Sequence, residues 1–139
     1  MFSAVLIVST VFVYAQPASL NTGARNAATV KNFIKPPALG DIGKTATSIT
    51  NALSGRLGVA SNQQSALQGI ITGFLTDKTK LLPLATSNPA GYLQQFNPLQ
   101  QTMLGKLRGI LGTARFGQMM NLKPTGNNIA ANPLSHLFY

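Results

Sequence analysis

A chain of 139 residues that is 45% hydrophobic and only 9% charged is one domain's worth of polypeptide, large enough to bury a modest core without metals or cross-links. Eleven Lys and Arg stand against Asp41 and Asp77 alone, a net charge of +9 that attracts polyanions or serves simply to keep the chain soluble. The absence of Cys excludes disulfide and thiolate chemistry, and two carboxylates with the single His136 leave too small a pool for most metal or acid–base sites.

The chain begins with an apolar run, Ala4 to Ala15, too short to span a bilayer. Its length fits the hydrophobic part of a signal peptide over residues 1–15, and Val13-Tyr14-Ala15 places small side chains where a signal peptidase reads, predicting cleavage before Gln16. No Lys or Arg precedes the run, which fits a truncated start or an amino terminus serving as the only positive charge; the alternatives to a leader are a membrane-retained anchor and a buried core helix. Residues 16–40 read as a flexible linker. Asn21 to Ala28 is small and polar, and Lys35-Pro36-Pro37 imposes extended backbone, while Val30, Phe33 and Ile34 are the side chains able to dock on a core.

A helical bundle domain is predicted over 41–122. Asp41 is a good N-cap, and Ile42, Ala46, Ile49, Leu53 and Leu57 fall on one helical face before Gly58 stops the helix in a left-handed cap. The second helix starts at Ser61 or Asn62 as cap and carries Leu67, Ile70, Ile71, Phe74, Leu75 and Leu81 to Pro83, with a weaker pattern near Asp77-Lys78. A loop is expected over 84–88, then a helix from Pro89 that breaks or kinks at Pro98 and resumes with Asn97 as its cap. Gly112 ends that segment, and Thr113 caps a last short helix through Phe116, Met119 and Met120. The pattern predicts an all-α fold: a small antiparallel bundle of about four helices, arranged as two helical hairpins, followed by a C-terminal tail over 123–139.

Two features inside the bundle invite tertiary readings. Gly69/Gly73 and Gly105/Gly109 each cost about 1 kcal/mol relative to Ala inside a helix, which a close backbone approach at a helix crossing would offset; the alternative is relaxed selection at surface positions. Leu57-Gly58-Val59-Ala60 and Leu111-Gly112-Thr113-Ala114 repeat one design, helix stop then helix start, each after apolar residues at four-residue steps. These junctions resemble degenerate copies of the LTxxQ motif of the Spy/CpxP-type periplasmic proteins. Val59-Ala60-Ser61-Asn62-Gln63 keeps the Gln, and Leu111-Gly112-Thr113-Ala114-Arg115 keeps the Leu. The stretch Asp41 to Lys123 is also similar to small exported Bacteroidetes-type proteins with a signal peptide, a helical middle and a short tail ending in aromatics. The resemblance implies an all-helical extracytoplasmic protein linked to envelope stress or chaperoning, and it assigns no role to any single residue.

The chemistry-bearing motifs are few. Ala38 to Thr45 looks like a phosphate-binding loop ending in Gly43-Lys44-Thr45, but its first Gly is Ala38 and Pro36-Pro37 stands where a strand belongs, so it reads as a helix start. Asp41 reads as a cap, Asp77 as a partner of Lys78 or Lys80, and His136 lies in the tail, so no enzyme and no cofactor is predicted. The candidate anion- or client-binding residues are Lys78 and Lys80 near the end of the second helix, with Lys106, Arg108 and Arg115 around the second junction. Met103, Met119 and Met120 fit either a soft client groove or core filling. The expectation is an exported, periplasmic or extracellular, non-enzymatic binding or chaperone-like protein. Its partners are protein clients or anionic envelope components rather than nucleic acid, and the alternative is a structural protein that binds anionic lipid through basic helix faces.

Overall fold

The computed structural model describes residues 33–139. The predicted leader and linker residues up to 32 lie outside the described residues, and the compact unit runs from Ile34 to Tyr139. Residues 33–41 carry no regular structure, with Pro36 buried and Ile34 left 42% exposed, so Ile34 does not dock on the core.

Asp41 starts α1 (Ile42–Leu57) as the sequence predicts: its carboxylate accepts the Lys44 N–H at 2.8 Å, using one of the orphan donors of the first turn. Gly58, at φ 64° and ψ 46°, ends α1 in the left-handed conformation, its N–H closing on the Ser54 carbonyl. α2 (Ser61–Leu81) follows after a short turn. Its N-cap is Ala60, which makes no side-chain cap bond, so the predicted capping by Ser61 or Asn62 does not occur; Ser61 is already helical. α2 runs unbroken through Asp77-Lys78, and the predicted loop over 84–88 is a single helical turn, α3 (Leu84–Ser87).

α4 (Pro89–Asn121) is capped by Asn88, whose side-chain oxygen accepts the Gly91 N–H at 3.1 Å. Pro98 lies inside it without breaking it, so of the expected kink or break the break does not occur and no new helix starts at Asn97. The ring removes one bond to Gln94, whose exposed carbonyl side is open to water, while Tyr92, Phe96 and Met103 on the buried side hold both flanks to the core. The break comes instead at Gly112, at φ 78° and ψ 165°, a conformation essentially reserved for glycine. It divides α4 into 89–111 and 113–121.

Side-chain contacts fix the arrangement. Gln63 reaches Ile110, Phe74 meets Phe96 in a tilted ring pair, and Lys78 lies over Phe96, so α2 and α4 run antiparallel. Gln68 donates to Thr47 across the tight Gly58 turn, pairing α1 and α2 in the same sense. α2 is the shared element between α1 and α4, and the core is Ile49, Leu53, Leu67, Ile71, Leu75, Leu107 and Met119 with the Phe74–Phe96–Tyr92 aromatic cluster. The fold is an all-α antiparallel helical bundle, with no strand among the described residues.

After a 3-10 turn (Gly126–Asn128) the chain ends in α5 (Ser135–Phe138), a single turn packed into the bundle. Leu134, Leu137 and Phe138 are buried, each contributing about 1.5–3 kcal/mol of apolar transfer. The tail therefore belongs to the core.

Candidate functional site

The five basic residues picked out by the sequence meet different fates. Lys78 is fully buried, although a helix-end lysine is expected on the surface. Its ammonium donates to the backbone oxygens of His136, at 2.8 Å, and Tyr139, and lies 5.4 Å from the centre of the Phe96 ring. Gln100 donates to the neighbouring Leu137 carbonyl at 2.8 Å, so two side chains from two helices receive the orphan carbonyls of α5. Burial pushes the Lys78 ammonium down to about 7. A cation enclosed in this way cannot meet an external anion, which removes Lys78 from the predicted surface.

The remaining four are exposed. Lys80 lies 3.5 Å from Asp77, an i,i+3 pair in solvent of the kind that contributes little to stability. Lys106 borders a groove of about 160 Å³ between α2 and α4, floored by Ile70, Phe74, Leu99 and Met103. That volume admits one side chain, well under the range of ligand pockets. Arg108 lies 6.0 Å from the Phe116 ring centre, bridging the Gly112 break, and Arg115 follows on the short segment beyond. Met103 and Met119 are buried as core filling, and of the three methionines only Met120 is exposed.

The glycine pairs do not mark a close crossing. A methyl group placed on Gly69, Gly73, Gly105 or Gly109 meets nothing within 4 Å. The two junctions, by contrast, do meet: Gln63, the residue kept from the motif resemblance, donates to the Ile110 carbonyl at 3.2 Å. That carbonyl is among those freed when Gly112 interrupts the helix, so Gln63 acts as a C-terminal cap supplied from another helix.

The other candidates are committed locally. In the phosphate-loop lookalike, the Lys44 amide is held by Asp41, and the Thr45 hydroxyl donates to the Asp41 carbonyl at 2.8 Å, leaving no cradle of free amides. His136 is half-buried with Nδ1 enclosed, and burial together with the Lys78 charge pushes it down to about 4, so the ring is neutral at neutral pH. No group of three or more potential metal ligands occurs among the described residues. No described helix is long and apolar enough to cross a membrane.

Comparison with known proteins finds no match among family models, curated proteins or solved structures.

Proposed function

We propose that this chain is an exported, non-enzymatic helical binding protein whose partner is an anionic envelope component, engaged through basic helix surfaces. One observation carries the reading: apart from the buried Lys78 and the paired Lys80, every described Lys and Arg is exposed and has no carboxylate within ion-pair distance. Asp41 caps α1 and Asp77 holds Lys80, so no side-chain carboxylate remains to neutralise them. Positive potential is left to solvent and to whatever anion approaches. The apolar run from Ala4 to Ala15 supports export.

The anionic-surface reading is favoured over client holding. The groove beside Lys106 is small, and among the described residues the large hydrophobic side chains left exposed are Ile34 and Met120 alone. Holding a non-native chain takes a contiguous apolar patch, whereas lipid headgroups take positive charge.

Sedimentation with vesicles tests the reading. The protein should pellet with phosphatidylglycerol-containing vesicles and stay in solution with phosphatidylcholine alone, and the bound fraction should fall as salt shortens the screening length to below about 10 Å. Each basic residue near an anionic surface contributes about 1 kcal/mol, so neutralising Lys106, Arg108 and Arg115 together to Gln should weaken binding on the order of a hundredfold. Equal pelleting with both lipids, or none with either at low salt, would sink the proposal.

A further inference from the structure

α1 turns its apolar residues inward and carries a second row, Lys44, Ser48, Ala52 and Arg56, at four-residue steps along its flank. That row forms one wall of two adjoining cavities whose other wall is the chain between α4 and α5. The larger, about 600 Å³, holds Arg56 opposite Lys123, and the smaller, about 310 Å³, holds Lys44 and Ser48. Both are lined by Ala131, Asn132 and Pro133, so they form one groove running the length of the row, about 18 Å at the helical rise.

The groove is polar and carries a single sign of charge. Three cations line it, with no carboxylate. The side chains of Arg56, Ser48 and Asn128 make no hydrogen bond to other described residues. Asn132 uses only its side-chain oxygen, which accepts the Leu134 N–H at 2.9 Å, so its two amide N–H donors are free. Lys123 lines the larger cavity, and its ammonium lies over the Tyr139 and Phe138 rings, 5.1 and 5.9 Å from their centres. Arg56 also lies in the last turn of α1, where the helix dipole favours a cation, but that accounts for one charge and not for three converging on a concave surface.

From this charge complementarity we infer that the groove between α1 and the chain leading into α5 is a binding site for an acidic oligosaccharide, an extended ligand whose carboxylates meet Lys44, Arg56 and Lys123 and whose hydroxyls meet the Asn and Ser side chains. Amide and hydroxyl side chains both donate and accept, as a sugar hydroxyl does. A guanidinium fork fits a carboxylate in bidentate geometry. A large apolar side chain, the anchor of most peptide ligands, finds no deep apolar pocket here. The site is separate from the Lys106, Arg108 and Arg115 surface and does not rest on it.

Isothermal titration with tetragalacturonate tests the assignment, with maltotetraose and a tetraglutamate peptide as comparison ligands. Tetragalacturonate should bind at least tenfold more tightly than either. Arg56→Gln should weaken it tenfold or more and Asn128→Ala several-fold; both side chains are exposed, and circular dichroism should confirm an unchanged helical fold. The Lys106, Arg108 and Arg115 triple Gln variant should bind tetragalacturonate like the parent even though it loses vesicles. Absence of tetragalacturonate binding, equal binding of maltotetraose or tetraglutamate, or an Arg56→Gln variant with unchanged affinity would overturn the inference.

Discussion

The buried lysine makes the sharpest prediction about stability. Lys78 has no solvent exposure, and burial lowers its ammonium from 10.5 to about 7 in the folded chain. In the unfolded chain it titrates at its ordinary value, so between pH 7 and 10.5 the unfolded state binds more protons and stability must rise with pH. At 1.36 kcal/mol per pH unit the full window is on the order of 5 kcal/mol, an upper value because the His136 and Tyr139 backbone oxygens and the Phe96 ring stabilise the charged form. A rise of about 2–3 kcal/mol is expected. His136 adds a second window with the same sign. Its folded value is lowered to about 4, so stability is lost as pH falls from 6.5 towards 4.

Urea unfolding followed by circular dichroism at intervals from pH 4 to 10 measures both windows. Lys78→Met isolates the first. The variant removes the buried charge but leaves two backbone oxygen acceptors without this donor, at a cost of about 1–3 kcal/mol each, so its stability at pH 7 should be equal to or below that of the parent. Its dependence above pH 7 should flatten while the acid limb persists. A parent whose stability is level or falls between pH 7 and 10, or a variant with the same slope as the parent, would refute the reasoning.

Two further outcomes follow from glycine geometry. Gly73→Ala and Gly105→Ala should each raise stability by about 0.5–1 kcal/mol, because a methyl meets nothing within 4 Å and the helix gains propensity; a lowered melting temperature would show that the crossing needs bare backbone. Gly58 and Gly112 should respond differently to Asn. Gly58 sits in the left-handed well that Asn tolerates, so Gly58→Asn should cost under about 1 kcal/mol, whereas Gly112→Asn should cost about 1–3 kcal/mol more at φ 78° and ψ 165°. Equal losses in thermal unfolding would contradict the assigned conformations.

Signals confined to a few neighbouring residues were readable before any fold was known. The apolar period of α1, α2 and α4, the Asp41 cap, the helix start at Pro89, and the glycine stops at 58 and 112 all express local backbone and side-chain preferences. Where a local rule met tertiary packing, packing prevailed. Pro98 stays inside α4 because Tyr92, Phe96 and Met103 hold it on both sides, and the glycine pairs border open space because the crossing lies elsewhere.

Of the basic candidates, the exposure of Lys80, Lys106, Arg108 and Arg115 followed from helical phase. The α1 groove was not legible, because Lys123, Asn128 and Asn132 lie far along the chain from the row of Lys44 and Arg56 on α1 and share no motif with it. Lys78 shows the division most clearly. The sequence alone determined that the chain makes helices, where glycine ends them, and that its cations outnumber its carboxylates. Only the tertiary structure decided which cation is enclosed, because the backbone oxygens that receive Lys78 belong to residues 58 and 61 positions further along the chain. A side chain's environment depends on what folds against it, and sequence neighbours do not carry that information.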